Sequence, residues 1–137
     1  ERAAARGDAG GNMSGTLAES LARLPQISVE INFDRGSARI LPRSYYSVGL
    51  IADALHTPQL MGSRFAVVGH TDATGSAQFN LQLSKERANA VMQALATTFN
   101  VPANQLVAIG LGEEALQDPA NPNSGVNRRV QLINIGE

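Results

Sequence analysis

No cysteine occurs among the 137 residues. That excludes disulfide bridges, thiolate metal sites and a cysteine nucleophile. Aromatic residues make up only 4% of the chain, which weakens any ligand mode built on stacking sugars. Lysine is nearly missing: of the 11 basic residues all but Lys85 are arginine. Such a tilt suits forked recognition of carboxylates, and it also follows from a GC-rich genome alone. There is no cationic excess either. The net charge of −1 argues against a general nucleic-acid binder, which needs a surplus of Lys and Arg on one face. No apolar run approaches the ~18 residues of a membrane span.

What is present fits one globular domain with a core of its own. The length suggests a single unit, and 43% hydrophobic with 17% charged residues is globular composition. The first residue is Glu1 and no signal peptide is visible. A processed chain or a piece of something longer is therefore expected, with any anchor outside it.

Residues 1–25 read as a lead-in. Glu1 to Asn12 is rich in Ala, Gly and charge, and a short helix follows over Leu17, Ala18, Leu21 and Leu24, capped by Ser14 or Thr16 and ended by Pro25. Residues 26–137 read as the main domain. Ser28 to Phe33 alternates, with Val29, Ile31 and Phe33 on one side, which predicts a half-buried strand. Asp34 to Arg39 is a polar loop. Pro42 opens a helix at a position that tolerates its missing N–H, with Tyr46, Leu50, Ile51, Ala54 and Leu55 as its stripe. Phe65 to Val68 is a continuous apolar run, as in a strand buried on both faces. Gly69 to Gly75 is a loop, and Ser76 to Phe99 predicts the longest helix, with Leu83, Ala90, Val91, Ala94 and Leu95 inward. Leu106 to Ile109 and Arg129 to Ile135 complete the strands, separated by a loop carrying Pro119 and Pro122. The order is strand–helix–strand–helix–strand–strand. It predicts an α/β domain, an α+β sandwich whose mixed sheet has parallel pairs across the helices, an antiparallel element at the end, and helices on one face.

The densest polar cluster is Gly69-His70-Thr71-Asp72, between a buried strand and a helix, where ligands often sit. Asn80, Ser84 and Arg87 recur at spacings of four and three and share a helix face that could look back over Asp72. A carboxylate and a guanidinium held close without neutralising each other would receive a zwitterion. The same two side chains could also form a plain structural salt bridge, the more common fate of such pairs. His70 with Asp72 suggests a metal grip, but two ligands are too few. No nucleophile, zinc or phosphate-loop motif occurs, and Gly110-Leu111-Gly112 is too weak a pattern for a nucleotide site. Of Tyr45-Tyr46, which could stack a sugar or a base, Tyr46 fits the helix core.

Together these segments resemble the OmpA-like, peptidoglycan-associating domain family. Asn32-Phe33-Asp34 with Ser37-Ala38 is similar to its opening strand and loop. Gly69 to Gly75 is similar to its ligand loop. Asn80-Leu81-Gln82-Leu83-Ser84-Lys85-Glu86-Arg87-Ala88-Asn89-Ala90-Val91 is similar to its N-x-x-L-S-x-x-R-A-x-x-V helix. Gly112-Glu113 and Asn127-Arg128-Arg129-Val130 resemble its closing elements. The match spans Ser28 to Ile135. Only the Glu114–Gly125 stretch departs from the family's proline-containing pattern, which suggests a surface loop at the pocket rim or a partner contact.

The resemblance implies a periplasmic, cell-wall-associated binding module. It would hold peptidoglycan through the diaminopimelate of the stem peptide and anchor an envelope protein, attached to the outer membrane by a segment outside this chain. No catalysis, cofactor, metal or nucleic acid is implied. Asp72 stands at the ammonium-binding position and Arg87 at the carboxylate-binding one. Asp34 would offer its backbone N–H to a ligand carboxylate, and Phe33, Thr71, Asn80 and Leu83 match pocket positions. Arg128 and Arg129 read as mainly structural: as strand neighbours they face opposite ways, so only one could approach the pocket. Two rivals remain. One is a structural or oligomerisation domain with Asp72 and Arg87 paired internally. The other is a metal-dependent hydrolase using His70 and Asp72. The role of the first helix stays open between linker, oligomer contact and lid.

Overall fold

The computed structural model describes residues 13–137; the expected lead-in from Glu1 to Asn12, and the side chains of the expected caps Ser14 and Thr16, lie outside the described residues. The elements are α1 (Met13–Ala22), β1 (Gln26–Val29), α2 (Tyr45–Leu55), β2 (Arg64–His70), α3 (Ala77–Gln93), β3 (Leu106–Gly112) and β4 (Arg129–Gly136). The strands form one mixed sheet in the order β1-β4-β2-β3. β2 and β3 are parallel across α3, as a β-α-β unit requires.

The expected parallel pairing of the first two strands does not form. β4 lies between them, antiparallel to both, and its antiparallel partners are β1 and β2 rather than β3. The first strand is also earlier and shorter than its alternation suggests. Its last ladder pair is Val29 with Val130, close to where β4 begins. Beyond it the chain leaves the sheet, Ile31 is buried, and Phe33 keeps only an isolated bridge to Ile40.

β2 alternates its side chains between two cores. Phe65 and Val67 join Val48, Ile51, Leu55, Val91, Leu95, Val130 and Leu132 on the α2/α3 side. Ala66 and Val68 join Leu111, Ile133 and Leu21 of α1 on the other. The two longer helices thus share one face, as expected, and α1 covers part of the opposite face through Ala18 and Leu21, with Leu17 and Leu24 exposed. The α2 stripe is rotated from the expected one. Val48, Ile51, Ala52 and Leu55 are buried, a clean i, i+3, i+4, i+7 set, whereas Tyr46 is 75% and Leu50 52% exposed.

α3 starts at Ser76, whose side chain accepts the Phe79 N–H, an ordinary N-cap. It then packs directly on strand backbone. A Cβ at Gly69 would overlap the Ser84 carbonyl, and one at Gly110 would overlap the Lys85 amide and the Ser84 hydroxyl. Gly110 therefore belongs to helix–strand packing, not to a nucleotide loop. Ser84, fully buried, completes the seam: its Oγ donates to the Leu81 carbonyl and accepts the Gly112 N–H, both at 2.8 Å.

At either glycine an added methyl meets the backbone of α3, joined at Gly110 by the Lys85 and Ser84 side chains. Gly69→Ala and Gly110→Ala should each lower unfolding stability by about 1–3 kcal/mol or more, the usual range for overpacking a dense core. Urea denaturation would check this, with Gly62→Ala, where a Cβ meets nothing within 4 Å, expected to be nearly neutral.

Candidate functional site

A cleft of about 710 Å³ opens between the β1–α2 connection, the loop after β2, and the start of α3. Phe33, Thr71, Asp72, Asn80, Leu83 and Arg87 all line it. Six of the seven expected site residues are thus brought together; Asp34 stands just behind the wall.

The loop after β2 is rigidly placed. The β2–β3 register slips after Gly69, so that His70 pairs with Gly112, and such a bulge re-aims the residues that follow. The Thr71 N–H donates to the Gly112 carbonyl at 2.9 Å. Asn80, buried in α3, then ties the loop to the helix: its Nδ2 donates to the Thr74 carbonyl at 2.9 Å, the Asp72 carbonyl at 3.3 Å and Glu113 Oε1 at 2.9 Å. Ala73 is braced from the other side by the Pro122 carbonyl at 2.9 Å. That carbonyl belongs to the stretch that departs from the family pattern, so this loop forms part of the cleft's support.

Asp72 is 8% exposed. Its Oδ1 accepts the Thr74 N–H at 2.9 Å and its Oδ2 pairs with Arg128 Nη1 at 2.6 Å. Burial alone would raise its pKa, but the Thr74 hydrogen bonds and the Arg128 guanidinium outweigh that and hold the carboxyl below its ordinary value. A carboxylate offers about four acceptor positions, so the two contacts leave room for a further donor. The Thr71 hydroxyl beside it is buried and has no hydrogen-bond partner among the described residues.

Arg87 is held differently. Its Nε donates to the Ser37 carbonyl at 2.8 Å and its Nη2 to the Asp34 carbonyl at 3.4 Å. The guanidinium lies 4.8 Å from the centre of the Phe33 ring, within cation–π range. Burial, and then the nearby Arg128, lower its pKa, opposed by Asp72. Five N–H donors in a fixed fork leave most of the guanidinium free for a ligand. Among the described residues Asp72 and Arg87 make no ion pair with each other, so the internal bridge that marks the structural alternative is not formed.

One expectation needs correction. The Asp34 N–H does not face a ligand: it donates to the Arg39 carbonyl at 3.0 Å. The Asp34 carboxylate pairs with Arg39 at 2.6 Å. What Asp34 gives the site is its carbonyl, which orients Arg87. The neighbours Arg35 and Gly36, the latter at φ +64°, line the cleft instead.

Arg128 is the residue that the spacing left undecided. Val130 and Leu132 face the α3 side, so Arg128 shares their parity and reaches Asp72, while Arg129 turns away and donates to the Ala115 carbonyl at 2.9 Å. An inward Val130 carries that phase in the sequence itself. Asn127, wholly buried, anchors the preceding turn by donating to the Asn121 and Pro122 carbonyls and accepting the Asp118 N–H. Arg35, Arg43 and the exposed Phe79 also line the cleft and carried no motif signal. His70 and Asp72 form no joint metal grip, since His70 turns to Gln131. No group of three or more His, Cys, Asp or Glu capable of holding a metal occurs among the described residues, nor is any of their helices long and apolar enough to cross a membrane.

Residues 32–130 match the model of the OmpA family. The chain is 30% identical over 114 residues to outer membrane porin F of Pseudomonas aeruginosa, covering 82% of this chain and 32% of the porin. It is 30% identical over 105 residues to the peptidoglycan-binding protein ArfA of Mycobacterium tuberculosis, covering 75% of this chain and 31% of that protein. Among solved structures, the peptidoglycan-associated lipoprotein from Burkholderia pseudomallei superposes with a TM-score of 0.60 at 27% identity, covering 83% of this chain and 92% of that one. The chain therefore belongs to the OmpA family. It spans about a third of the length of the porin and ArfA relatives it matches.

His70 lies just before the cleft but on the opposite face of the sheet, with Ala66 and Val68. Its Nε2 sits 2.6 Å from Gln131 Oε1, and Gln131 Nε2 donates at 2.6 Å to Gln26 Oε1. Gln26 in turn donates to the carbonyls of Leu21 and Ala22 at the end of α1 and of Leu24 just beyond it. Burial, with the nearby Arg129 charge, lowers the His70 pKa from 6.5 to about 4, although the Gln131 hydrogen bond opposes the shift. Between those values the unfolded chain binds a proton that the folded one does not, so stability is full above pH 6.5 and falls as pH drops towards 4. Over that window the loss should approach about 3 kcal/mol. Urea midpoints of the wild type and His70→Gln from pH 7 to pH 4 would test it. The wild type should lose more stability than the variant, and parallel curves would rule the histidine out as the cause.

Proposed function

We propose that this domain binds peptidoglycan non-covalently, gripping the zwitterionic end of diaminopimelate in the stem peptide, and so anchors an envelope protein to the cell wall. The observation that carries this is the open cleft in which Asp72 and Arg87 both project and neither neutralises the other. Asp72 would accept the ligand's ammonium, and Arg87 would give paired N–H bonds to its carboxylate. The carbonyls of Ser37 and Asp34 and the Phe33 ring hold the guanidinium in place. Thr71, Asn80 and Leu83 complete the wall, with Asn80 fixing the loop. The domain acts by holding, without catalysis, on the periplasmic side of the envelope. The names of its relatives support the reading: one is a peptidoglycan-binding protein, one a peptidoglycan-associated lipoprotein, one an outer membrane porin.

Asp72→Ala and Arg87→Ala should each abolish co-sedimentation with insoluble peptidoglycan. Losing one partner of a desolvated charge-assisted contact costs about 2–5 kcal/mol, roughly thirtyfold in affinity or more. Melting temperatures should move little in Asp72→Ala, because the abandoned Arg128 side chain is 56% exposed and water can take it up. Retained sedimentation of either variant would sink the assignment of these residues.

Ligand choice gives an independent check. Lysine-type stems lack the second carboxylate and would leave Arg87 desolvated and unmatched. Calorimetry should show clear preference for diaminopimelate stems, and equal affinity for the two would count against the zwitterion mechanism.

A further inference from the structure

The cleft carries more positive charge than a zwitterion uses. Arg35, Arg43, Arg87 and Arg128 line it, against Glu30 and Asp72. Asp34 does not offset them, because it is paired with Arg39. A single ammonium with a single carboxylate, set on Asp72 and Arg87, adds no net charge and leaves this surplus standing. Arg128 is partly satisfied by Asp72. Arg35 and Arg43 are not: neither makes an ion pair among the described residues, and the polar contact that Arg43 does make is a long one, 3.4 Å from its Nη2 to Asn32 Oδ1. Both come from the connection between β1 and α2 that forms one side of the cleft, so their fixed charge faces whatever extends from the Asp72–Arg87 grip. A surplus of unpaired guanidinium along one wall of a cleft selects for a second anion on the same ligand.

Resting on the peptidoglycan reading above, we propose that Arg35 and Arg43 form a second subsite that receives another carboxylate of the same stem peptide. The free α-carboxylate of its γ-linked glutamate is the chemistry that fits. The cleft then reads the amidation state of the stem: a free acid meets the arginines as an anion, and an amide in its place does not. Arginine rather than lysine suits this task, because its planar fork matches a carboxylate in two-point geometry.

The test is calorimetric titration of the full chain with two soluble diaminopimelate-containing stem peptides, one with the glutamate α-carboxylate free and one with it amidated. The free acid should bind about two- to fivefold tighter, the worth of a charge-assisted contact to exposed arginines. In the double variant Arg35→Gln/Arg43→Gln the ratio between the two peptides should fall to about one. The control Arg64→Gln, at the far end of β2, should keep the wild-type ratio. Equal wild-type affinities, or a tighter amide, overturn the second subsite and leave the grip by Asp72 and Arg87 intact. Failure of both peptides to bind overturns the peptidoglycan reading itself, and this inference with it. A ratio that survives in the double variant also overturns the role given to these arginines.

Discussion

The whole site depends on one packing constraint, the seating of α3 directly on the backbone of β2 and β3. No side chain separates the helix from the strands at Gly69 and Gly110, and the buried Ser84 hydroxyl closes the remaining gap to Gly112. A helix so close cannot slide or rotate without backbone overlap, because dense interiors give little. Everything that bears on the cleft from this helix inherits its fixity. Asn80, one turn before Ser84, meets the loop after β2. Arg87, three residues past it, meets the carbonyls of the β1–α2 connection. The helix thus sets the distance between two oppositely charged groups that belong to different parts of the chain.

That spacing matters because opposite charges in a common cleft tend to find each other. Here each has other engagements that hold it short of the other. Asp72 is turned by the Thr74 N–H and Arg128. Arg87 is turned by two carbonyls and the Phe33 ring. Partners that orient a charge without cancelling all of its valences are what a receptor for a zwitterion needs. They offset part of the desolvation beforehand and leave donor or acceptor positions unfilled. The Arg128 pair on Asp72 follows the same logic, since it fixes the carboxylate through one oxygen and remains half in solvent itself.

Much of this was legible in the residues. The apolar run before His70, the helical stretch that begins near Ser76, and the Asn80–Ser84–Arg87 spacing identify strand, helix and facing side chains from pattern alone. The resemblance then favours a receptor over a bare ion pair, a choice that spacing alone leaves open. What stayed hidden has physical causes. Insertion of β4 between β1 and β2 is a non-local pairing, and alternation along a strand says which face a residue takes but not which strand lies beside it. The Tyr46 stripe differs from the packed one because β-branched Val48 and small Ala52 give an equally regular helical set, and only the packing partner decides between them. The Asp34 N–H was lost to Arg39 because a tight loop satisfies its own backbone groups first. Arg35 and Arg43 had no pattern to betray them, since a charge in a loop carries no periodicity.

Proton chemistry at this site is quiet near neutral pH, and that bears on what the cleft is for. General acid–base catalysis works best with a group whose pKa lies near the working pH. Asp72 is driven the other way, below its ordinary value, and so stays charged. Arg87 is lowered by burial, yet a guanidinium starts so far above neutrality that it too remains charged. His70, the one side chain nearby that would ordinarily titrate close to neutrality, is pushed to about 4 and faces the other side of the sheet. The cleft therefore presents constant charges on a fixed frame across the neutral range. Constant charges are poor at moving protons and good at holding a ligand whose own charges are equally constant. An α-ammonium beside an α-carboxylate is such a ligand.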